Sequence, residues 1–167
     1  MILRGIPLSY FRRIEASAVS AAAMTTDSLK GIAAAGGQGI GLIRRLVVIN
    51  LGLVALQALS AGFVLSGYER AVTVHADVAL ALQLGTFIQA VIAVVLWRRG
   101  RVPAWVAGLS IGLFVMVFLQ LGLGYKKSFW LHVPIGVGIF GWLTYQVNRL
   151  NTLWRTTRAL AGASRDS

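Results

Sequence analysis

The stretch GYERAVTVH at residues 67–75 has a counterpart in GYKKSFWLH at residues 124–132, at an offset of 57 residues. Each stretch places a histidine seven residues after its tyrosine, and His75 and His132 are the only two histidines of the chain. Further matches occur at the same offset: Gln89 with Gln146, Leu-Trp-Arg at 96–98 with Leu-Trp-Arg at 153–155, and Arg101 with Arg158. The pattern predicts two tandem repeats, residues 44–100 and 101–157.

Composition places these repeats in a membrane. Of the 167 residues, 57% are hydrophobic and 13% are charged, and the mean hydropathy is +0.74, whereas charged residues make up about 25% of ordinary soluble domains. Four apolar segments approach the roughly 20 residues that a membrane-crossing helix needs: residues 46–67, 72–97, 102–124 and 129–148. A soluble bundle would need polar stripes that these segments lack. We therefore predict an all-α integral membrane protein, a four-helix bundle spanning residues 44–158.

The net charge is +11. The positions of the basic residues are typical of a membrane protein with a defined topology rather than of a nucleic-acid-binding protein. Lys126 and Lys127 lie in the loop at one end, with Glu69 and Arg70. The segment ends on the other side carry eight arginines: Arg44, Arg45, Arg98, Arg99, Arg101, Arg149, Arg155 and Arg158. Such an excess indicates the cytoplasmic side. We expect a multi-pass protein of a bacterial inner membrane with both termini cytoplasmic, and no nucleic-acid partner, since no basic patch on a soluble surface is present.

Both ends of the chain are predicted to be cytoplasmic tails, residues 1–43 and 159–167. The first contains a weakly amphipathic part at residues 6–24 and a Gly/Ala-rich part at residues 33–41, for which we predict a flexible linker. Translation from Met24 rather than Met1 is an open alternative. Because the chain has no cysteine, it forms no disulfide and offers no thiolate ligand.

Two repeats that each contain an outward and an inward helix should be related by a pseudo-two-fold axis along the membrane normal. The second and fourth helices, which carry the histidines, then form the diagonal pair of the bundle. Both histidines lie near the starts of these helices, at the non-cytoplasmic level. Helical spacing places two sets of residues on the inner faces: Val78, Ala79, Leu82, Thr86 and Gln89 after His75, and Ile135, Gly136, Ile139, Leu143 and Gln146 after His132.

A b-type haem between His75 and His132 is the cofactor we expect. A bis-histidine site needs one imidazole nitrogen on each side of the porphyrin and an apolar slot. Ala79 and Gly136 would leave room for the ring, although small residues also serve close helix packing. The candidate propionate anchors lie at the mouth of this slot: Tyr68, Arg70, Tyr125, Lys126 and Lys127.

Other interpretations of the histidines remain open. A membrane histidine can simply hydrogen-bond a backbone carbonyl or a partner side chain. A zinc or copper site would usually recruit a third or fourth ligand, and the nearby Asp77 falls mostly on the opposite face of its helix. Gln89 and Gln146 are expected to hydrogen-bond across the bundle.

The topology and the two histidines resemble one half of haem A synthase. They are also similar to small actinobacterial four-helix membrane proteins with a histidine after an outer loop. The resemblance covers about residues 44–158 and implies that His75 and His132 are axial ligands of a b-type haem. Haem A synthase contains two such bundles, and its substrate half has an acidic loop residue in another setting than Glu69. The synthase activity is therefore not carried over.

The function expected from these residues is electron transfer or haem-linked redox sensing, with a quinone or a redox protein as partner. No catalytic constellation accompanies the histidines: the sequence shows no nucleophile with a base, no paired carboxylates and no phosphate loop. Two alternatives stay open, a non-redox accessory subunit of a larger membrane complex or homo-oligomer, and a small transporter.

Overall fold

A computed structural model describes the backbone of residues 8–163 and the side chains of residues 36–159. This part of the chain is all-α, with four helices joined by short turns. The helices are α1 (Leu8–Leu65), α2 (Glu69–Arg98), α3 (Ala104–Tyr125) and α4 (Phe129–Ala163). The predicted all-α, four-helix class is thereby confirmed.

Among the described residues, three stretches are long and apolar enough to cross a membrane: Gly36–Leu65, Glu69–Arg98 and Ala104–Tyr125. Helix α4 is not one of them, because His132, Pro134 and three glycines dilute the apolar character of its first half. The chain is therefore a membrane protein by the composition of three helices. A fourth span over residues 129–148 stays a prediction.

Helix α1 differs most from the sequence prediction. It begins at Leu8 instead of about residue 46, so residues 33–41 are helical rather than a flexible linker. This part of α1 lies at van der Waals distance from its neighbours: a Cβ on Gly39 would stand 3.4 Å from the Arg101 Cβ, and one on Gly41 would stand 3.8 Å from the Trp154 Nε1. This close packing orders a segment that its composition alone assigns to a linker.

All three turns between helices have the hydrogen bonds of a Schellman motif. Their left-handed residues are Gly67 (φ 84°), Gly100 (φ 66°) and Lys127 (φ 54°). Lys127 thus takes the turn position that Gly67 has in the first hairpin, whereas Gly124, the match of Gly67 in sequence, lies inside α3. The turns of the two hairpins therefore do not correspond at the offset that relates the histidines.

Each helix packs against two neighbours in the order α1, α2, α3, α4, and α2 and α4 are a diagonal pair, as predicted. The predicted inner faces are also confirmed. Leu82, Thr86 and Gln89 of α2 are buried, and the buried residues of α4 include Ile139, Leu143 and Gln146. We call the end with the turns at Gly67 and Lys127 the histidine end, and the opposite end the arginine end.

Candidate functional site

The two imidazoles meet at the histidine end. Their ring centroids lie 6.2 Å apart with an interplanar angle of 56°. His75 sits in the second turn of α2 and His132 at the fourth residue of α4, and both side chains are half-buried. The diagonal arrangement thus brings together two residues that are far apart in sequence.

His132 has a defined tautomer. Its Nδ1 lies 3.0 Å from the backbone oxygen of Gln120, and because a carbonyl only accepts, this nitrogen carries the proton. The Gln120 side chain returns to the same residue, since its Nε2 donates to the His132 carbonyl at 2.6 Å. The Nε2 of His132 is left with a lone pair.

His75 is held in a comparable way by α1. The Ser60 hydroxyl donates to the Gln57 carbonyl at 2.9 Å, so it accepts from the His75 Nδ1 at 3.0 Å. The remaining nitrogen, Nε2, keeps a lone pair and has the amide nitrogen of Gln57 at 3.5 Å, the outer limit of a hydrogen bond. Each imidazole therefore offers Nε2 as a potential ligand.

Sequence reasoning missed Gln57, Ser60 and Gln120. The two glutamines have the same role in the two hairpins, each beside one histidine, yet they are further apart in sequence than the histidines are. A search for repeated polar residues within the first and third apolar segments, allowing a larger offset, would have paired them. Both glutamines also have a buried Oε1 without a hydrogen-bond partner among the described residues.

Two glycines shape the surroundings of His132. A Cβ on Gly124 would meet the imidazole Cε1 at 3.0 Å, and one on Gly136 would meet the Gln120 Nε2 at 3.0 Å. Gly136 thus makes room for the glutamine amide, which is the close-packing role that the sequence left open. Its counterpart Ala79 is half-buried on α2.

The predicted anchor residues surround this end of the bundle and are solvent-accessible. Tyr68 packs edge-on against Phe63 at 5.7 Å and is 62% exposed. The others are also exposed, at the end of α3, in the turn before α4 and at the start of α2: Tyr125, Lys126, Lys127 and Arg70. Asp77 is exposed on α2, in agreement with its predicted position away from the inner face.

The histidine pair has the spacing of a shared-metal site. Two imidazoles that bind one metal from opposite sides, with metal–nitrogen bonds of about 2.0–2.1 Å, hold their ring centres about 6 Å apart. In the described part of the chain, no group of three or more His, Cys, Asp or Glu side chains comes together.

A second polar cluster, the amide layer, lies deeper in the bundle and has one residue from each helix. The Asn50 Nδ2 donates to the Gln89 Oε1 at 2.9 Å. The Gln89 Nε2 lies 3.1 Å from the Ser110 Oγ and 3.2 Å from the Gln146 Oε1. The predicted hydrogen bond between the two glutamines is thus present, while Asn50 and Ser110 were not foreseen.

Comparison with known protein families, with curated proteins and with solved structures found no match. The function is accordingly inferred from the geometry of the histidine end.

Proposed function

We propose that the protein is a membrane-bound b-type haem protein, with one haem held between His75 and His132 near the histidine end. The observation that carries this proposal is the pair of imidazoles with ring centroids 6.2 Å apart, each with its Nδ1 hydrogen bonded and its Nε2 available. Ligating histidines usually have this arrangement, in which the second ring nitrogen donates to a carbonyl or another acceptor.

The other residues of this end would hold the cofactor's periphery. Tyrosine hydroxyls and basic side chains suit the propionates, and the candidates are Tyr68, Arg70, Tyr125, Lys126 and Lys127. Ala79 has a small side chain one turn from His75, which would leave space beside the imidazole. Gly136 leaves room for the Gln120 amide, which donates to the His132 carbonyl. Bound haem supplies a one-electron couple.

Electron transfer or redox sensing is the use that fits such a site. With His75 and His132 both holding the haem, no position would be left for a substrate. A quinone or a redox protein is therefore the proposed partner.

The proposed setting is a bacterial inner membrane, which four helices cross with both termini in the cytoplasm. Three of these helices are apolar enough by composition, and α4 completes the bundle by packing against α1 and α3. The eight arginines of the arginine end support this orientation. A reporter fused after Ser167 should be active only in the cytoplasm, and activity outside the cell would contradict the orientation.

The optical spectrum tests the cofactor. Protein expressed with ample haem and purified in mild detergent should show a Soret band and a six-coordinate, low-spin spectrum in both oxidation states. His75→Ala and His132→Ala should each remove this low-spin spectrum. Gln89→Ala weakens the bundle, but the protein that remains folded should keep the spectrum, because Gln89 lies about 21 Å along α2 from His75.

Two results would reject the proposal. A colourless protein would favour the alternative of a non-redox accessory subunit in a larger membrane complex. A coloured protein whose spectrum survives His132→Ala would show that the ligands are other residues.

A further inference from the structure

Two guanidinium groups flank a single indole at the arginine end. The Arg44 Cζ of α1 lies 4.9 Å from the centre of the Trp154 ring on α4, and the Arg158 Cζ lies 4.6 Å from it. Both cations therefore lie beside the same ring, one from α1 and one from α4. Gly41 of α1 lies against the same indole, since a Cβ there would stand 3.8 Å from the Trp154 Nε1.

The charge of this cluster is uncompensated within residues 36–159. The Nε of Arg44 is buried and has no hydrogen-bond partner there. The only acidic residues of this range are Glu69 and Asp77, and both belong to the histidine end. An indole face attracts a cation but accepts no conventional hydrogen bond, so the guanidinium donors still need an acceptor.

We infer that Arg44, Arg158 and Trp154 form a binding site for the phosphate group of an anionic phospholipid. A guanidinium group matches a phosphate in charge and in donor geometry, and this cluster places two such groups beside one indole. This inference does not depend on the haem.

The position of the cluster along the bundle selects a lipid over a soluble anion. Gly39 packs against Arg101 in the turn between α2 and α3, and Arg44 lies five residues, about 7.5 Å, further along α1 toward the apolar interior. At this depth the long arginine side chains extend toward the headgroups. Basic pockets between membrane helices take up anionic headgroups in this way.

Anionic lipid could instead be attracted by the total positive charge of the arginine end. Two double variants, each lacking two positive charges, distinguish this explanation from a specific site at the cluster. Arg44→Gln with Arg158→Gln removes two charges from the cluster. Arg98→Gln with Arg99→Gln removes two charges from exposed positions at the same end. Native mass spectrometry of the full-length protein in detergent, with equal phosphatidylglycerol and phosphatidylcholine, measures the lipid retained by each.

The wild-type protein should retain phosphatidylglycerol in preference to phosphatidylcholine. The cluster variant should lose about 25-fold of this preference, at about fivefold for each arginine, and the exposed-pair variant should lose much less. Equal losses in both variants, or no preference in the wild-type protein, would overturn the inference.

Two further measurements keep the test sharp. Arg44→Lys with Arg158→Lys retains the charge and removes the planar donors, so it should lie between the wild-type protein and the cluster variant; equality with the wild-type protein would contradict the geometric role. Inorganic phosphate added in excess should fail to displace the lipid, and displacement would identify a soluble-anion site instead. Unchanged helix content by circular dichroism establishes that each variant is folded.

Discussion

The amide layer and the polar cluster around the histidines differ in how completely the side chains of each are hydrogen bonded to one another. The amide layer joins all four helices, and each of its members is at most 2% exposed. Around the histidines, the hydrogen bonds stay within one hairpin: α1 holds His75 and α3 holds His132. The two imidazole rings lie 6.2 Å apart at an angle of 56°, and no hydrogen bond joins them. The Nε2 of His75 has only the Gln57 amide at 3.5 Å.

This difference distinguishes a structural layer from a candidate binding site. Buried amides that bond across helices fix which helices pack together and at which register. Half-buried groups with remaining acceptor capacity can take a ligand without breaking the contacts that hold the bundle. The amide layer is not perfect in this respect, because the Asn50 Oδ1 lies against Gly85 and is buried without a partner.

Replacing the centre of the amide layer should have the largest effect on stability. Gln89→Ala removes the hydrogen bonds to Asn50, Ser110 and Gln146 and leaves a cavity, so we expect a loss of about 2–5 kcal/mol in the free energy of unfolding. Unfolding by denaturing detergent, followed by circular dichroism, measures the loss. Gln83→Ala is the control on the same helix, since Gln83 has a buried oxygen without a partner; an equal loss there would show that the network itself contributes little.

If the proposed haem binds at the histidine end, removing a support of one histidine should lower its affinity more than it lowers the stability of the fold. Ser60→Ala deletes the acceptor for the His75 Nδ1, and the loss of such a partner typically costs about 10–100-fold in metal affinity. Haem titration of the haem-free protein gives the affinity. Ser66→Ala, at an exposed hydroxyl that bonds to the Gly62 carbonyl, should leave it unchanged. Equal affinities for the two variants would place the ligand elsewhere.

A methyl group at Gly136 tests the packing of the histidine end. Gly136→Ala would push against the Gln120 amide, at a cost of about 1–3 kcal/mol, partly offset by about 1 kcal/mol of helix propensity. Gly138→Ala, whose Cβ would meet nothing within 4 Å, should instead stabilise α4. Detergent unfolding of the pair measures the contrast, and identical shifts would mean that Gln120 moves aside freely.

The smallest change should come from the turn before α4. Lys127 has a φ of 54°, a left-handed conformation that costs a non-glycine residue about 1–2 kcal/mol. Lys127→Gly should therefore raise the unfolding free energy by about 1 kcal/mol. Lys126→Gly, at a φ of −77°, removes the same charge without this relief and should not stabilise. A gain in both variants would indicate that charge, not backbone geometry, limits this turn.

The helices and the histidine pair could be predicted from the sequence because both depend on local periodicity. Helical spacing from His75 to Gln89 and from His132 to Gln146 correctly predicted which residues of α2 and α4 face the interior of the bundle. The supports of the histidines could not be predicted this way, since Gln57 and Gln120 correspond at a different offset from the histidines they hold. The helical state of residues 33–41 also depended on packing against Arg101 and Trp154, which the Gly/Ala composition does not reveal.

A layer of mostly apolar side chains separates the histidine pair from the amide layer. The buried side chains there are Val54, Leu82, Thr86, Leu113, Val117, Ile139 and Leu143. The Thr86 hydroxyl donates to carbonyls of its own helix. None of these groups takes up or releases a proton near neutral pH. The described core therefore offers no series of titratable side chains that leads from the histidine end to the amide layer. If the bundle lies across a membrane, a proton at the histidine end has no such route to the other face.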